Sequence, residues 1–306
     1  MRMTRPLTFA LVAMLAVVVS AQRQKPLPAD GDLVELDVVV LDRNDQPVTD
    51  LRREDFTVKE EGRAVDVKTF SSVTALGSLE PDDGRVVVLL MDDIGVPSMG
   101  TSPMQQIAPV LLSPIGDGDE VSVVRLANRS DEAFGDIRTA RERIEGYRGG
   151  AVPFAMPDTP ETMLKMIAKI AGQLEPLDHR RKVILCQGLP SVCDVREPQL
   201  GGTSVIWPFW VAALRAAARA NVSVYCVDPT GVRGGFRLSV DGLVQMTGGR
   251  TFARQNDFSI AAKAIWREAG HYYLLGYWPA ASKHDLRAID VDVARKGVRI
   301  HARQRR

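Results

Sequence analysis

The chain reads as an α/β protein: a doubly wound, mostly parallel sheet of Rossmann type with a small β-domain formed by its N- and C-terminal extensions. Three observations predict this. The run Arg85–Gly95, RVVVLLMDDIG, is short, β-branched and apolar on both faces, as the central strand of a parallel sheet is, and it ends in two adjacent carboxylates, Asp92 and Asp93. Further apolar strands then alternate with helical patterns, the signature of βαβ winding. The flanking segments instead alternate apolar and charged residues with period two, which predicts sheets with one wet face.

The 306-residue chain starts with an export signal. Arg2 and Arg5 form a basic n-region, Phe9–Val19 an apolar h-region, and Val19-Ser20-Ala21 a small-residue cleavage site, so residues 1–21 are assigned as a signal peptide and Gln22 as the mature N-terminus. The apolar run is too short to span a bilayer, and no later segment is apolar for long enough, so no integral membrane segment is expected after cleavage. The expected location is the periplasm or the extracellular space. Removing Arg2 and Arg5 takes the formal charge from +1 to −1, which gives no electrostatic reason to bind nucleic acid. A protein partner is expected instead.

Residues 33–75 form the N-terminal β-extension. LVELDVVVLD is followed by the turn Arg43-Asn44-Asp45-Gln46-Pro47, and DFTVKEEGRAVDVKTF reads as a hairpin turning at Glu61-Gly62-Arg63. Residues 84–270 carry the α/β winding. After the Arg85 strand, Ser102 is placed to cap a helix with Pro103 at its first position, and Pro109 to kink it or end it early. Glu120–Leu126 reads as a strand and Thr139–Tyr147 as a short charged helix. Thr159-Pro160-Glu161 opens the strongest helix, with Met163, Ile167, Ile170 and Leu174 on one stripe. Lys182–Cys186 and Val222–Val227 are buried strands around the alanine-rich helix Phe209–Ala220. A helix over Val240–Met246 ends at Thr247-Gly248-Gly249, a strand follows over Arg250–Ala253, and Phe258–Ala269 is the last helix. Residues 271–303 form the C-terminal β-extension: HYYLLGYWP is a strand, and LRAIDVDVAR and GVRIHAR a hairpin around Lys296-Gly297. Each extension is too small to fold alone, so the two are expected to pair.

Three cysteines in an exported chain leave at least one unpaired. Cys186 and Cys226 end apolar strands and read as small buried hydrophobes, while Cys193 can pair with either. The four histidines are scattered, and there is no Gly-x-Ser-x-Gly elbow, no His-Glu-x-x-His helix and no phosphate-binding glycine loop ahead of a lysine. Trp207-Pro208-Phe209-Trp210 is the best candidate contact surface for a partner.

Taken together, Val40-Leu41-Asp42 with Pro47-Val48, Leu51 and Asp55-Phe56, the Asp92 strand, Thr247-Gly248-Gly249, and Tyr273-Leu274-Leu275-Gly276-Tyr277 with Pro279 and the Gly297-Val298 strand occur in a telling order. In this the chain resembles the von Willebrand factor A-related proteins abundant in acidobacteria. The resemblance implies an A-domain over residues 84–270 with the family's two β-extensions. It also implies a metal-ion-dependent adhesion site, with Asp-x-Ser-x-Ser after the first strand, a threonine from a second loop and an aspartate from a third. Asp92 matches the first aspartate, but Ile94 and Val96 stand at the serine positions and Gln187 at the third-loop aspartate. Thr159 or Thr162 can stand for the threonine. Asp92, Asp93 and Thr159 are therefore the candidate metal ligands of a degenerate site. No cofactor is expected, and any Mg²⁺ or Ca²⁺ would be held weakly.

The leading functional expectation is an exported, non-catalytic interaction or adhesion-type module. Two alternatives stand beside it: a metal-assisted hydrolase or phosphoryl-transfer enzyme using Asp92 and Asp93, and a metal-free envelope scaffold. Replacing Asp92 by alanine is expected to relieve repulsion with Asp93.

Overall fold

The computed structural model describes residues 33–74, 84–116, 118–127, 137–150, 159–177, 181–188, 206–233, 242–279 and 286–305. The assigned signal peptide and Cys193 lie outside these residues. Strand β5 (Arg85–Met91) is buried along nearly its whole length. It lies between β6 (Glu120–Arg125) and β7 (Arg181–Gln187), followed outward by β8 (Val222–Val227) and β9 (Thr251–Phe252), all parallel. The chain thus starts in the sheet's interior, winds one way to β6, then reverses to build β7, β8 and β9.

Alternating side chains of β5 feed two helical layers. Val86, Val88 and Leu90 face α3 (Thr159–Leu174), α4 (Trp207–Arg219) and the single turn α5 (Leu243–Met246). Val87, Leu89 and Met91 face α1 (Thr101–Leu111), α2 (Ile137–Glu145) and α6 (Phe258–Gly270). A strand with both faces covered by helices must be apolar throughout, which is why RVVVLLM shows no alternation.

The remaining strands form two antiparallel sheets. One has the order β12 (Arg299–Ala302), β1 (Val34–Leu41), β10 (His271–Tyr277), β4 (Val67–Thr74); the other runs β11 (Ile289–Val293), β2 (Phe56–Glu60), β3 (Arg63–Val65). Their shared core includes Leu36, Val38, Phe56, Val58, Tyr273, Leu275 and Ile289. Phe56 and Tyr273 meet at 5.0 Å between ring centroids. The Tyr273 hydroxyl donates to the Val48 carbonyl at 2.8 Å and accepts from the Leu51 N–H at 3.0 Å, pinning the β1–β2 connection to β10. The opposite face of β1 and β10 buries Val39, Leu41 and Tyr272.

Several local expectations change. The strands predicted as a hairpin around Lys296-Gly297 belong to different sheets: β11 pairs with β2 and β12 with β1. They touch through an isolated bridge at Ala288–Arg305, while β11 lies along the full length of β2 and β12 along the second half of β1. Helix α1 begins at Thr101 with Gly100 as its N-cap, so Pro103 is its third residue, and it runs through Pro109 to Leu111. Its buried stripe of Met104, Ile107, Ala108 and Leu111 anchors that last turn, and the Trp266 indole N–H caps the Leu111 carbonyl at 2.6 Å. Helix α2 sits two residues earlier than predicted, and β9 is shorter by a residue at each end. Of the predicted Val240–Met246 helix, Leu243–Met246 is helical and residues 240–241 lie outside the described segments. Cys186 is a buried free thiol, whereas Cys226 is disulfide-bonded and so is more than a packed small hydrophobe.

Candidate functional site

In an open parallel sheet the strand ends at a reversal of winding splay apart and leave a crevice where ligands bind. Here that point lies between the carboxyl ends of β5 and β7, so Asp92, Asp93, Gln187 and Gly188 surround it, with Asp228 one strand further on.

Asp92 is 1% exposed, and main-chain groups hold it. Its Oδ1 accepts from the N–H groups of Ile94 at 3.1 Å and Gly95 at 2.7 Å, folding the post-strand loop back on the carboxylate. Its own N–H donates to the Gln187 carbonyl at 2.9 Å, and its carbonyl accepts from the Tyr147 hydroxyl at 2.6 Å. Two glycines let the backbone close this tightly. A Cβ on Gly188 would stand 2.7 Å from the Asp92 Cβ, and one on Gly95 2.7 Å from Oδ2.

Asp93 turns to a different partner. Its Oδ1 accepts from the Ala127 N–H at 2.6 Å, tying the end of β5 to the end of β6, and burial raises its pKa. Each carboxylate is thus fixed by its own backbone donors. Removing Asp92 would leave the Ile94 and Gly95 N–H groups without this acceptor, a cost that opposes the expected relief of repulsion with Asp93.

Asp228 is fully buried. Its Oδ1 accepts from the N–H of Thr230 at 2.9 Å and from that residue's hydroxyl at 2.6 Å, while Oδ2 is buried without a hydrogen-bond partner among the described residues. The Gln187 amide donates to the Met104 carbonyl at 3.0 Å. Thr159 is the first residue of α3, and its side chain lies outside the described residues. Thr162 is half-buried three residues further along that helix.

A hard cation such as Mg²⁺ needs several converging oxygens and surrenders its water reluctantly. Among the described residues no group of three or more His, Cys, Asp or Glu side chains converges. Backbone N–H groups, positive at hydrogen, already point at Asp92 Oδ1, and Ile94 and Val96 add no oxygen. Among the described residues this donor set does not fit a Mg²⁺ adhesion site. Tyr147, Gly95 and Gly188 escaped the sequence reading. The glycine that follows each strand end, Gly188 after Gln187 and Gly95 in the loop after Met91, was the available signal.

The aromatic candidate surface is divided: Trp210 is core, Trp207 and Phe209 are half-buried against it, and Pro208 is exposed. Trp207–Trp210 form the first turn of α4, Trp210 is completely buried and stacks on Trp207 at 5.6 Å, and the Lys165 ammonium of α3 lies 4.5 Å over the Phe209 ring. The first turn of an amphipathic helix buries its aromatics against a neighbour because that covers the most area.

No protein-family model matches the chain, and no curated protein matches it. Among solved structures it is similar to the PilB minor pilin from Streptococcus sanguinis, at 13% identity and a TM-score of 0.39, over 63% of this chain and 64% of that one. It is also similar to the manganese-loaded TRAP protein of Plasmodium vivax, at 9% identity and a TM-score of 0.38, over 80% and 97% of the two chains. A third similarity is to the three N-terminal domains of the type V pili tip protein Mfa5 from Porphyromonas gingivalis, at 14% identity and a TM-score of 0.27, over 58% and 30%. The chain thus spans less than two thirds of the PilB chain. Among the described residues no helix is long and apolar enough to cross a membrane.

Proposed function

We propose that this chain is an exported, non-catalytic interaction module of von Willebrand factor A type whose switch-point carboxylate serves the fold in place of a cation. In this reading residues 1–21 are the export signal, 84–270 the A-type domain, and 33–75 with 271–303 one β-domain. The observation that carries it is the double acceptance of Ile94 and Gly95 N–H by Asp92 Oδ1 beneath Gly188. A carboxylate spent in this way neither activates water nor recruits a metal-bound partner group, so binding falls to surfaces that need no ion. The test is calorimetry and thermal denaturation of the full chain with Mg²⁺, Mn²⁺ and Ca²⁺, and again with EDTA. No change in melting temperature is expected. A saturable stabilisation that disappears in Asp92→Asn would overturn the reading.

A further inference from the structure

In-register residues of a parallel sheet form rungs that cross it from strand to strand. One rung runs through Leu90, Cys186, Cys226 and Thr251, on β5, β7, β8 and β9. Its two central members are cysteines. Both are fully buried, and both pack in the core shared with α3 and α4, so their side chains leave the same face of the sheet. Neighbouring strands run about 4.8 Å apart, inside the span of about 4.4–6.8 Å over which two α-carbons carry a disulfide. Yet the two residues differ in state: Cys186 is a free thiol and Cys226 is disulfide-bonded. The sequence has one further cysteine, Cys193, which lies outside the described residues.

A thiolate that reaches a disulfide sulfur displaces the other sulfur of the bond. Cys186 is held beside Cys226 by the ladder itself, so the attacking group needs no route from solvent. Burial pushes the Cys186 thiol pKa up, which keeps it protonated and slow to react at neutral pH and makes the exchange faster as pH rises. The position of the rung gives the pair its consequence. The next rung is Gln187 with Val227, and Gly188 and Asp228 follow at the mouth of the crevice.

We propose that Cys186 and Cys226 form a thiol–disulfide exchange switch, in which the bridge of Cys226 moves from its present partner to Cys186. The Cys186 thiol loses its proton to water, and its sulfur bonds to Cys226 Sγ. The existing S–S bond of Cys226 breaks, and the departing sulfur leaves as a thiolate that takes up a proton. One S–S bond forms as one breaks, so the count of free thiols is unchanged and no oxidant or reductant is consumed. In the first state β8 is tied to a cysteine outside the described residues. In the second, β7 is tied to β8 two residues below Gly188 and Asp228, and the former partner is free. The inference rests on the register of β7 and β8 and not on the reading of Asp92.

The test is disulfide mapping by mass spectrometry on the full chain, held folded at pH 9, quenched with acid and alkylated. A peptide linking Cys186 to Cys226 is expected to accumulate with time, faster at higher pH and at a rate independent of protein concentration, while the alkylated thiol passes from Cys186 to Cys193. Cys186→Ser should form no new bridge. Cys193→Ser, which leaves Cys186 and Cys226 as the only cysteines, should lose both thiols in oxidised glutathione and keep its melting transition. A wild-type chain whose bridge stays in place at pH 9, a linked peptide that forms only above the unfolding midpoint, or a folded Cys193→Ser that stays a dithiol in the oxidant would each overturn the proposal.

Discussion

Arg181 Nη1 donates to Asp37 Oδ2 at 2.6 Å, and neither side chain is more than 4% exposed. The pair joins the start of β7 in the parallel sheet to the middle of β1 in the four-stranded sheet. Asn221 donates to the other Asp37 oxygen at 3.0 Å. Arg181 also reaches the Tyr225 hydroxyl at 3.2 Å, which donates to Glu268 at 3.1 Å, and Arg250 binds the far oxygen of Glu268 at 2.6 Å. A charge buried this deeply is tolerable while its partner is present. Asp37→Ala should therefore destabilise the fold by about 3–5 kcal/mol, by the precedent of broken buried pairs. Urea denaturation checks this, and Asp37→Ala combined with Arg181→Met should cost less than the sum of the two single changes.

Asp92→Ala strands the N–H groups of Ile94 and Gly95. A loss of about 1 kcal/mol is expected, the low end of the cost of unsatisfied donors because both groups are only part-buried. Thermal melts with and without Mg²⁺ should show the same decrement.

Asp93 gives the opposite sign. Burial raises its folded-state pKa above the ordinary value of 3.8, so the protonated form is the one the fold favours. Its contribution is full below the unfolded value and is lost as pH rises through the folded one. At neutral pH the ionised carboxylate therefore costs stability. Asp93→Asn keeps an oxygen for the Ala127 N–H and should melt higher than the parent at pH 7, with the difference shrinking toward pH 3.

Gly188→Ala places a methyl 2.7 Å from the Asp92 Cβ, between two segments of main chain with little room to give. It should destabilise by about 1–3 kcal/mol, as overpacked sites do. Denaturant titration of the variant measures it.

Cys186 is fully buried and burial pushes its thiol pKa up. A thiol reagent at pH 8 should leave it unmodified in the native chain and label it promptly in denaturant. Opening the Cys226 disulfide with reductant should lower stability by about 2–4 kcal/mol, the usual range for a native bridge.

The parallel sheet was legible because burial on both faces writes itself into an unbroken apolar run, as in Val86–Met91. The expectation of a degenerate cation shell rests on Ile94 and Val96, because oxygen donors must stand at fixed spacing. What stayed hidden depends on pairs distant in the sequence. Gly188 closes over Asp92 from another strand, and Arg181 meets Asp37 across 144 residues. No local pattern distinguishes such residues from surface charges or loop glycines. The destinations of β11 and β12 were lost for the same reason: two adjacent strands with a glycine turn look like a hairpin until the neighbours that outbid them are known.

Strand β1 lies between β10 and β12, two strands encoded more than 200 residues after it. Loop-closure entropy must be met before such contacts return anything. The parallel sheet, by contrast, assembles from neighbours in sequence between β5 and β9. Order of assembly follows: the winding of β5–β9 can form while the row Leu36, Val38 and Val40 still waits for its covering strands. A chain interrupted before His271 would leave that row in water with an edge on either side, an invitation to aggregate.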